Sequence, residues 1–242
     1  MIVISLTTSP KRIVHLENLF NILSNQTMKP NFIVLNLVYL FKRNNTKFDK
    51  IPDFILNNDL IKINWCEDIG PSTKIIPTIK LLKNSNYNKD TMVISVDDDI
   101  EYKDNLVELL VNFSKKYPDS VITGESFMRL DDNQVELVEG YSSVLYKIKF
   151  LENFDENVIK NYPTFCYLAD DFIISNFLRK NKIPIIVLNQ EKPYSNIYLD
   201  YGNGDDALRN GAHGQAQSNL DNYKKCAEYL KKSNDLYIKY KF

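Results

Sequence analysis

Met92-Val93-Ile94-Ser95-Val96-Asp97-Asp98-Asp99 is the stretch that decides the fold: a strand-forming run passes without a break into three consecutive aspartates. A short apolar run that ends in turn-forming residues reads as a strand covered on both faces. Two ionised carboxylates about 4 Å apart repel by roughly 4 kcal/mol at an effective dielectric of about 20. Something must offset that cost, and a divalent cation that prefers hard oxygen ligands, Mn²⁺ or Mg²⁺, does so. In an extended segment Asp97 and Asp99 point the same way and Asp98 points opposite. Asp97 and Asp99 are therefore the candidate metal ligands. The competing reading is an acidic turn that caps the following helix, a job for which Asp104 is better placed.

Upstream of this strand the pattern alternates. Ile2-Val3-Ile4-Ser5-Leu6 is a β-rich run, and Ser9-Pro10 reads as an N-cap followed by proline at the first helical position. Ile13, Leu16, Leu19, Phe20 and Leu23 recur at helical spacing behind it. Phe32 to Leu37 is a second strand and Ile61 to Trp65 a third. A helix follows near Thr73 to Leu82, with Pro77 placed to restart or kink it. Downstream, Leu106, Leu109, Leu110 and Phe113 mark a helix and Val121-Ile122 another strand. Phe127 to Val138 reads as a hairpin through Asp131-Asp132-Asn133. Asp171 opens a helix with Phe172, Ile173, Phe177 and Leu178, Ile183 to Leu188 is a strand, and Leu220 to Leu230 is the last helix. Strand–helix alternation implies an α/β fold with a mostly parallel central sheet flanked by helices. Ligands of such sheets bind beyond the carboxyl ends of the strands, which directs attention to the residues after Leu6, Trp65 and Val96.

The 242 residues suit a single domain, and a formal net charge of −1 gives nothing to attract nucleic acid or an anionic membrane. Cys66, Cys166 and Cys226 are odd in number and far apart, which reads as three structural thiols in a reducing compartment. Pro10, Lys11 and Arg12 interrupt the first apolar stretch too early for a signal peptide, and no segment approaches a membrane span. A soluble, cytoplasmic protein is the expectation.

Ile94 to Asp99 resembles the DxD motif of GT-A glycosyltransferases. Two further segments share the resemblance: Ser5-Leu6-Thr7-Thr8-Ser9-Pro10-Lys11-Arg12, similar to the loop after the first strand that contacts the nucleotide, and Cys66-Glu67-Asp68-Ile69-Gly70-Pro71-Ser72-Thr73-Lys74, similar to a segment of small DDD-containing glycosyltransferases of bacteria and large DNA viruses. The likeness covers the chain to about Tyr102 and implies a Rossmann-like GT-A domain. Its nucleotide-binding half would run to about residue 102 and its acceptor and catalytic half from there to residue 242. It implies a donor site of Thr7, Thr8, Ser9, Arg12, Asp68, Lys74, Asp97 and Asp98 for a nucleotide-sugar, with a UDP-sugar expected. It implies Mn²⁺ or Mg²⁺ on Asp97 and Asp99, with His213 as a third ligand. Asp170-Asp171 resembles the acidic pair of inverting enzymes, usually Glu-Asp, so Asp171 matches the general base.

The residue chemistry agrees with those roles. Thr7, Thr8 and Ser9 bring hydroxyls and backbone N–H groups to a helix start, Arg12 carries a planar fork for phosphate, and Lys74 neutralises a diphosphate oxygen. Ser9 and Asp170 also read as helix caps, and Lys74 as a solvated lysine. Gly202, Gly204, Gly211 and Gly214 let the segment around His213 move as a lid, or equally as an ordinary mobile surface loop. Glu139-Gly140-Tyr141-Ser142-Ser143 is placed to line the donor-sugar or acceptor pocket. Trp65 stacks on a sugar ring or fills the core, with core the preferred reading, and His15 reads as a structural residue of the first helix. The processive signature of Gln, two spacers, Arg and Trp is absent, which points to a single transfer. Retaining transfer, nucleotidyl transfer and sugar binding without turnover remain the alternatives. A nucleotidyltransferase would carry a glycine-rich loop after its first strand, and Thr7 to Arg12 has no glycine.

Overall fold

The computed structural model describes residues 1–126, 128, 130, 134–188, 198–201 and 219–239, with backbone alone at 198–201 and 219–220. Its centre is an eight-stranded sheet. In chain order the strands are β1 (Ile2–Thr7), β2 (Phe32–Val38), β3 (Ile61–Cys66), β4 (Met92–Ser95), β6 (Val121–Thr123), β7 (Gln134–Val135), β8 (Val144–Lys147) and β9 (Ile185–Val187). Their order across the sheet is β3-β2-β1-β4-β8-β6-β9-β7. The pairs β1/β2, β2/β3, β1/β4 and β6/β9 are parallel; β8 runs antiparallel to both neighbours, and β7 antiparallel to β9. A small ribbon pairs β5 (Ile100–Tyr102) with β10 (Tyr198–Tyr201).

The continuous apolar runs arise because both faces of the sheet are covered. Val3, Val34 and Val93 point into one core cluster, while their neighbours Ile4, Leu6, Ile33, Leu35 and Ile94 point into the other. The first cluster is closed by α3 (Ile76–Asn84), α7 (Asp170–Lys180) and α8 (Asn219–Lys232), through Ile76, Ile79, Phe172, Ile173, Cys226 and Leu230. The second is closed by α1 (Glu17–Ser24) and α4 (Leu106–Lys116), through Leu19, Phe20, Leu23, Leu106 and Leu110. Each such side chain contributes about 1.5–3 kcal/mol when fully buried. Short helices α2 (Asp53–Leu56), α5 (Glu156–Lys160) and α6 (Thr164–Tyr167) fill the connections.

Several local readings change. Ser9 does not start the first α-helix. Its carbonyl accepts the N–H groups of Arg12 and Ile13, and its hydroxyl accepts the Arg12 N–H at 3.3 Å, so it caps a tight turn. A 3-10 turn follows at Ile13–His15, and α1 begins at Glu17 after Leu16 breaks the geometry with ψ near 2°. His15 is exposed there and supports no core. Pro77 does restart a helix, since a 3-10 turn at Gly70–Lys74 precedes α3. Asp104 does not cap α4; instead Gln26 Oε1 accepts the Val107 N–H at 3.0 Å. Two backbone bonds join the arms of the expected hairpin, Leu130 N–H to Gln134 O and Glu136 N–H to Met128 O, while its turn at residues 131–133 lies outside the described residues.

The free-thiol reading is overturned. Cys166 and Cys226 are joined in a disulfide, because the packing of α8 on α6 brings together cysteines 60 residues apart. Cys66 remains free. Among the described residues no helix is long and apolar enough to cross a membrane.

Candidate functional site

The chain leaves β1 toward β2 and β3 on one side and returns at β4 on the other, so β1 and β4 flank the point where strand order reverses. The crevice at such a point is where open α/β sheets bind ligands. Thr8 and Arg12 follow β1 there, and Asp97-Asp98-Asp99 follow β4.

Asp98 and Asp99 form a turn and not an extended segment, so strict alternation of the triplet's side chains fails. Asp98 Oδ1 accepts from Arg12 Nη1 at 2.6 Å and its Oδ2 accepts from the Thr8 hydroxyl at 2.6 Å. Asp99 Oδ2 lies 3.3 Å from the same Arg12 nitrogen. Asp97 turns to the other side, where its Oδ1 meets Lys74 Nζ at 3.0 Å. Its backbone N–H donates at 2.9 Å to the hydroxyl of Tyr102, which in turn donates to Tyr141 O at 3.2 Å. Burial pushes the Asp99 carboxyl up to about 6, aided by the charges of Asp97 and Asp98 and opposed by Arg12. Burial also raises Asp98, against the pull of Arg12.

Asp170 and Asp171 open α7, with Ala169 as the capping residue; Asp170 is buried and Asp171 half-buried, both among charges. Asp170 Oδ2 stands 3.8 Å from Lys74 Nζ and makes no hydrogen bond. Asp171 Oδ2 accepts the Gly140 N–H at 2.9 Å. Burial and the neighbouring Asp170 hold the Asp171 carboxyl well above the usual carboxylate range, with Lys74 and the Gly140 N–H opposing. Burial alone would lower Lys74, but Asp97, Asp170 and Asp171 outweigh it and hold the ammonium firmly charged.

The loop that presents Gly140 is itself anchored. Ser143, fully buried, has φ +69° and ψ 141°, a conformation that costs a non-glycine residue about 1–3 kcal/mol. It persists because its hydroxyl donates to Ser95 O at 2.8 Å, its N–H donates to Gly140 O, and its carbonyl accepts from Gly124. The loop is thereby fastened to the end of β4, two residues before Asp97.

The structure thus brings Thr8, Arg12, Lys74, Asp97, Asp98, Asp99, Asp170 and Asp171 into one site. The Thr7 hydroxyl donates to Asn36 O at 2.9 Å and so serves the sheet. Both oxygens of Asp68 accept hydrogen bonds within the chain: Oδ2 from the Lys42 N–H at 2.8 Å, and Oδ1 from the Gly70 N–H at 2.8 Å and the Tyr167 hydroxyl at 3.4 Å. Gly70 needs to be glycine here, with φ +68° and a Cβ position only 2.5 Å from the Tyr167 ring. Trp65 does not belong to the core; it is 42 % exposed and stacked on Tyr39 at 5.8 Å. His213 and the glycines around it lie outside the described residues. Sequence reasoning missed Tyr102 and Ser95. The only trace in the sequence was polar side chains inside otherwise apolar strands.

Five carboxylates surround the two cations Arg12 and Lys74. That surplus of negative charge, with Asp97 and Asp99 side chains 27 % and 25 % exposed, suits a hard divalent cation. No three acidic, His or Cys side chains among the described residues are gathered as a ready metal cluster. Mg²⁺ often takes only one or two carboxylates and completes its shell with substrate phosphates, so the donor set fits that use.

No protein-family model and no curated protein matches the chain. Among solved structures it is similar to a 4-diphosphocytidyl-2C-methyl-D-erythritol synthase, with TM-score 0.48 and 9 % identity over 77 % of this chain and 86 % of that one. It is also similar to S. aureus TarS, with TM-score 0.46 and 15 % identity, over 81 % of this chain and 35 % of that one. Against residues 1–349 of TarS the TM-score is 0.48 at 15 % identity, over 81 % of this chain and 59 % of that one.

Proposed function

We propose that the chain is a GT-A glycosyltransferase that moves a sugar from a nucleotide-sugar, with a UDP-sugar as the expected donor, to an acceptor hydroxyl with inversion. The observation that carries this reading is the convergence of the acidic turn after β4 with Asp170-Asp171 of α7 at the strand-order switch. Asp97 and Asp99 are partly open to solvent, and beside them Asp170 is buried and Asp171 half-buried. Thr8, Ser9 and Arg12 would hold the nucleotide and its diphosphate, with Arg12 swinging from Asp98 and Asp99 toward phosphate, and Thr7 and Asp68 would join them only by exchanging their partners within the chain. Asp97 and Asp99, with His213, would hold Mn²⁺ or Mg²⁺. Such an ion offsets the negative charge that builds on the departing diphosphate.

Asp171 takes the acceptor proton. The acceptor oxygen attacks the anomeric carbon from the face opposite the diphosphate, and the bond to the diphosphate breaks as the new bond forms. A carboxyl raised by burial is a stronger base than a solvated one, which brings it nearer the pH at which it works. Tyr102 and the Gly140 N–H hold the turn and the base in place.

Thermal unfolding with a panel of nucleoside diphosphates, nucleoside triphosphates and nucleotide-sugars, with Mn²⁺ and with EDTA, tests the reading. A ligand at a hundredfold its dissociation constant adds about 2.7 kcal/mol. Stabilisation by one nucleotide-sugar family, abolished by EDTA, is the expected result. No shift with any nucleotide refutes the reading, and turnover of a triphosphate to pyrophosphate replaces it with nucleotidyl transfer.

A further inference from the structure

Lys74 is held at both ends. Its backbone carbonyl accepts the Ser5 hydroxyl at 2.5 Å; that hydroxyl lies 2.6 Å from Thr78 Oγ1, to which Asn36 Nδ2 donates at 2.9 Å. Ser5, Asn36 and Thr78 have no exposure, so β1, β2 and α3 together fix where the lysine begins. At the far end the ammonium meets Asp97 Oδ1 at 3.0 Å and Asp170 Oδ2 at 3.8 Å, with the side chain 9 % exposed. To reach a phosphate it would have to abandon these partners. Its remaining wall is Gly140. A Cβ there would collide with Lys74 Nζ and stand 3.0 Å from Asp171 Oδ1. The Gly140 backbone is not left-handed, so conformation does not demand glycine; room for the ammonium does.

We propose that Lys74 is a positioning residue: a built-in counter-ion that holds the acidic turn and the Asp170-Asp171 pair in one constellation, with Gly140 free of a side chain to seat it. Asp97 comes from the turn after β4, and Asp170 and Asp171 from α7. No strand or helix among the described residues joins these two directly at the site, and three like charges, Asp170 buried and Asp97 and Asp171 half-buried, would otherwise push them apart. The proposal rests on the transferase reading only for its purpose, not for its test.

The test uses the full chain without donor. In EDTA, Lys74→Met lowers Tm by about 6–12 °C, the shift expected when one partner of a buried charge cluster is removed. Adding Asp170→Asn restores at least about a third of that loss, because it removes one of the charges left unpaired. A double variant that melts lower than Lys74→Met overturns the counter-ion role. Titrated with Mn²⁺ alone, Lys74→Met binds the ion at least about threefold more tightly, since a like charge beside Asp97 is gone. A lysine that merely fills space would leave that affinity unchanged or weaken it, and either result overturns the proposal. Gly140→Ala changes no charge, yet it should lower Tm and tighten Mn²⁺ in the same direction by displacing the ammonium; wild-type behaviour in both refutes the seat. If the wild-type chain binds no Mn²⁺, the metal part of the proposed function fails, and the EDTA melting pair still decides the role of Lys74.

Discussion

The two halves of the central sheet carry charge in opposite ways. On the parallel side, β3-β2-β1-β4, the functional side chains stand directly at strand ends. Arg12 and Asp99 keep 21 % and 25 % of their side chains exposed, close enough to solvent to exchange partners, with the more enclosed Asp98 between them. On the mixed side, β8-β6-β9-β7, the acids sit in the first turn of α7, Asp170 buried and Asp171 half-buried, beside a loop that the strained Ser143 fastens to β4. Exposed charge can trade an internal partner for a ligand at small cost, whereas buried charge is kept for what burial does to proton affinity. In the proposed reaction, binding and proton transfer would be divided between the two halves, with Lys74 spanning the division.

The division can be broken from either side. Asp171→Asn removes the base while keeping the shape and the Gly140 contact. Turnover should fall by about 10²–10⁴-fold with donor affinity nearly unchanged; a collapse of donor binding measured by titration would put Asp171 on the binding side instead. Asp99→Ala should cost roughly 10³-fold in metal-dependent transfer while circular dichroism and Tm stay close to wild type. Retained activity would remove the exposed turn from the chemistry. Replacing Cys166 and Cys226 by serine should destabilise the mixed half by about 2–4 kcal/mol. Melting with and without reductant should then converge to one value. Smallest of all is the effect at Cys66, on the parallel side. Burial, helped by Asp68, pushes its thiol up to about 12, so almost none is thiolate at pH 8. Alkylation of the native chain should be far slower than of the unfolded chain, and equal rates would show the end of β3 to be open.

The same division explains what could be read from the sequence. Strands β1, β2 and β4 are apolar because both faces are covered, and the acids and hydroxyls after β1 and β4 follow at once in the chain, so the fold and the placing of those residues were legible there. Strand β8 was not: Val144–Lys147 is four residues long, ends in a lysine, and enters the sheet antiparallel between β4 and β6. The orientation of the triplet was misjudged because its alternation presumes an extended chain, whereas Arg12 draws Asp98 and Asp99 to one side. The setting of Lys74 depends on Asp97, Gly140 and Asp170, residues that only the folded topology brings together. The disulfide escaped notice for the same reason.

That disulfide also changes what kind of object the second half is. From Cys166 to Cys226 the chain is a closed ring that contains all of α7, β9 and β10. A protease that cuts once inside the ring separates no fragment: the two pieces migrate together until a reductant is added. More important for the intact protein, α8 is a tethered ligand of its own domain. It meets α6 at an effective concentration set by the ring and not by the solution, so it returns to the same seat after every local opening. Since Tyr167 of α6 reaches Asp68 on the other side of the site, that return keeps the far end of the chain in register with the loop after β3.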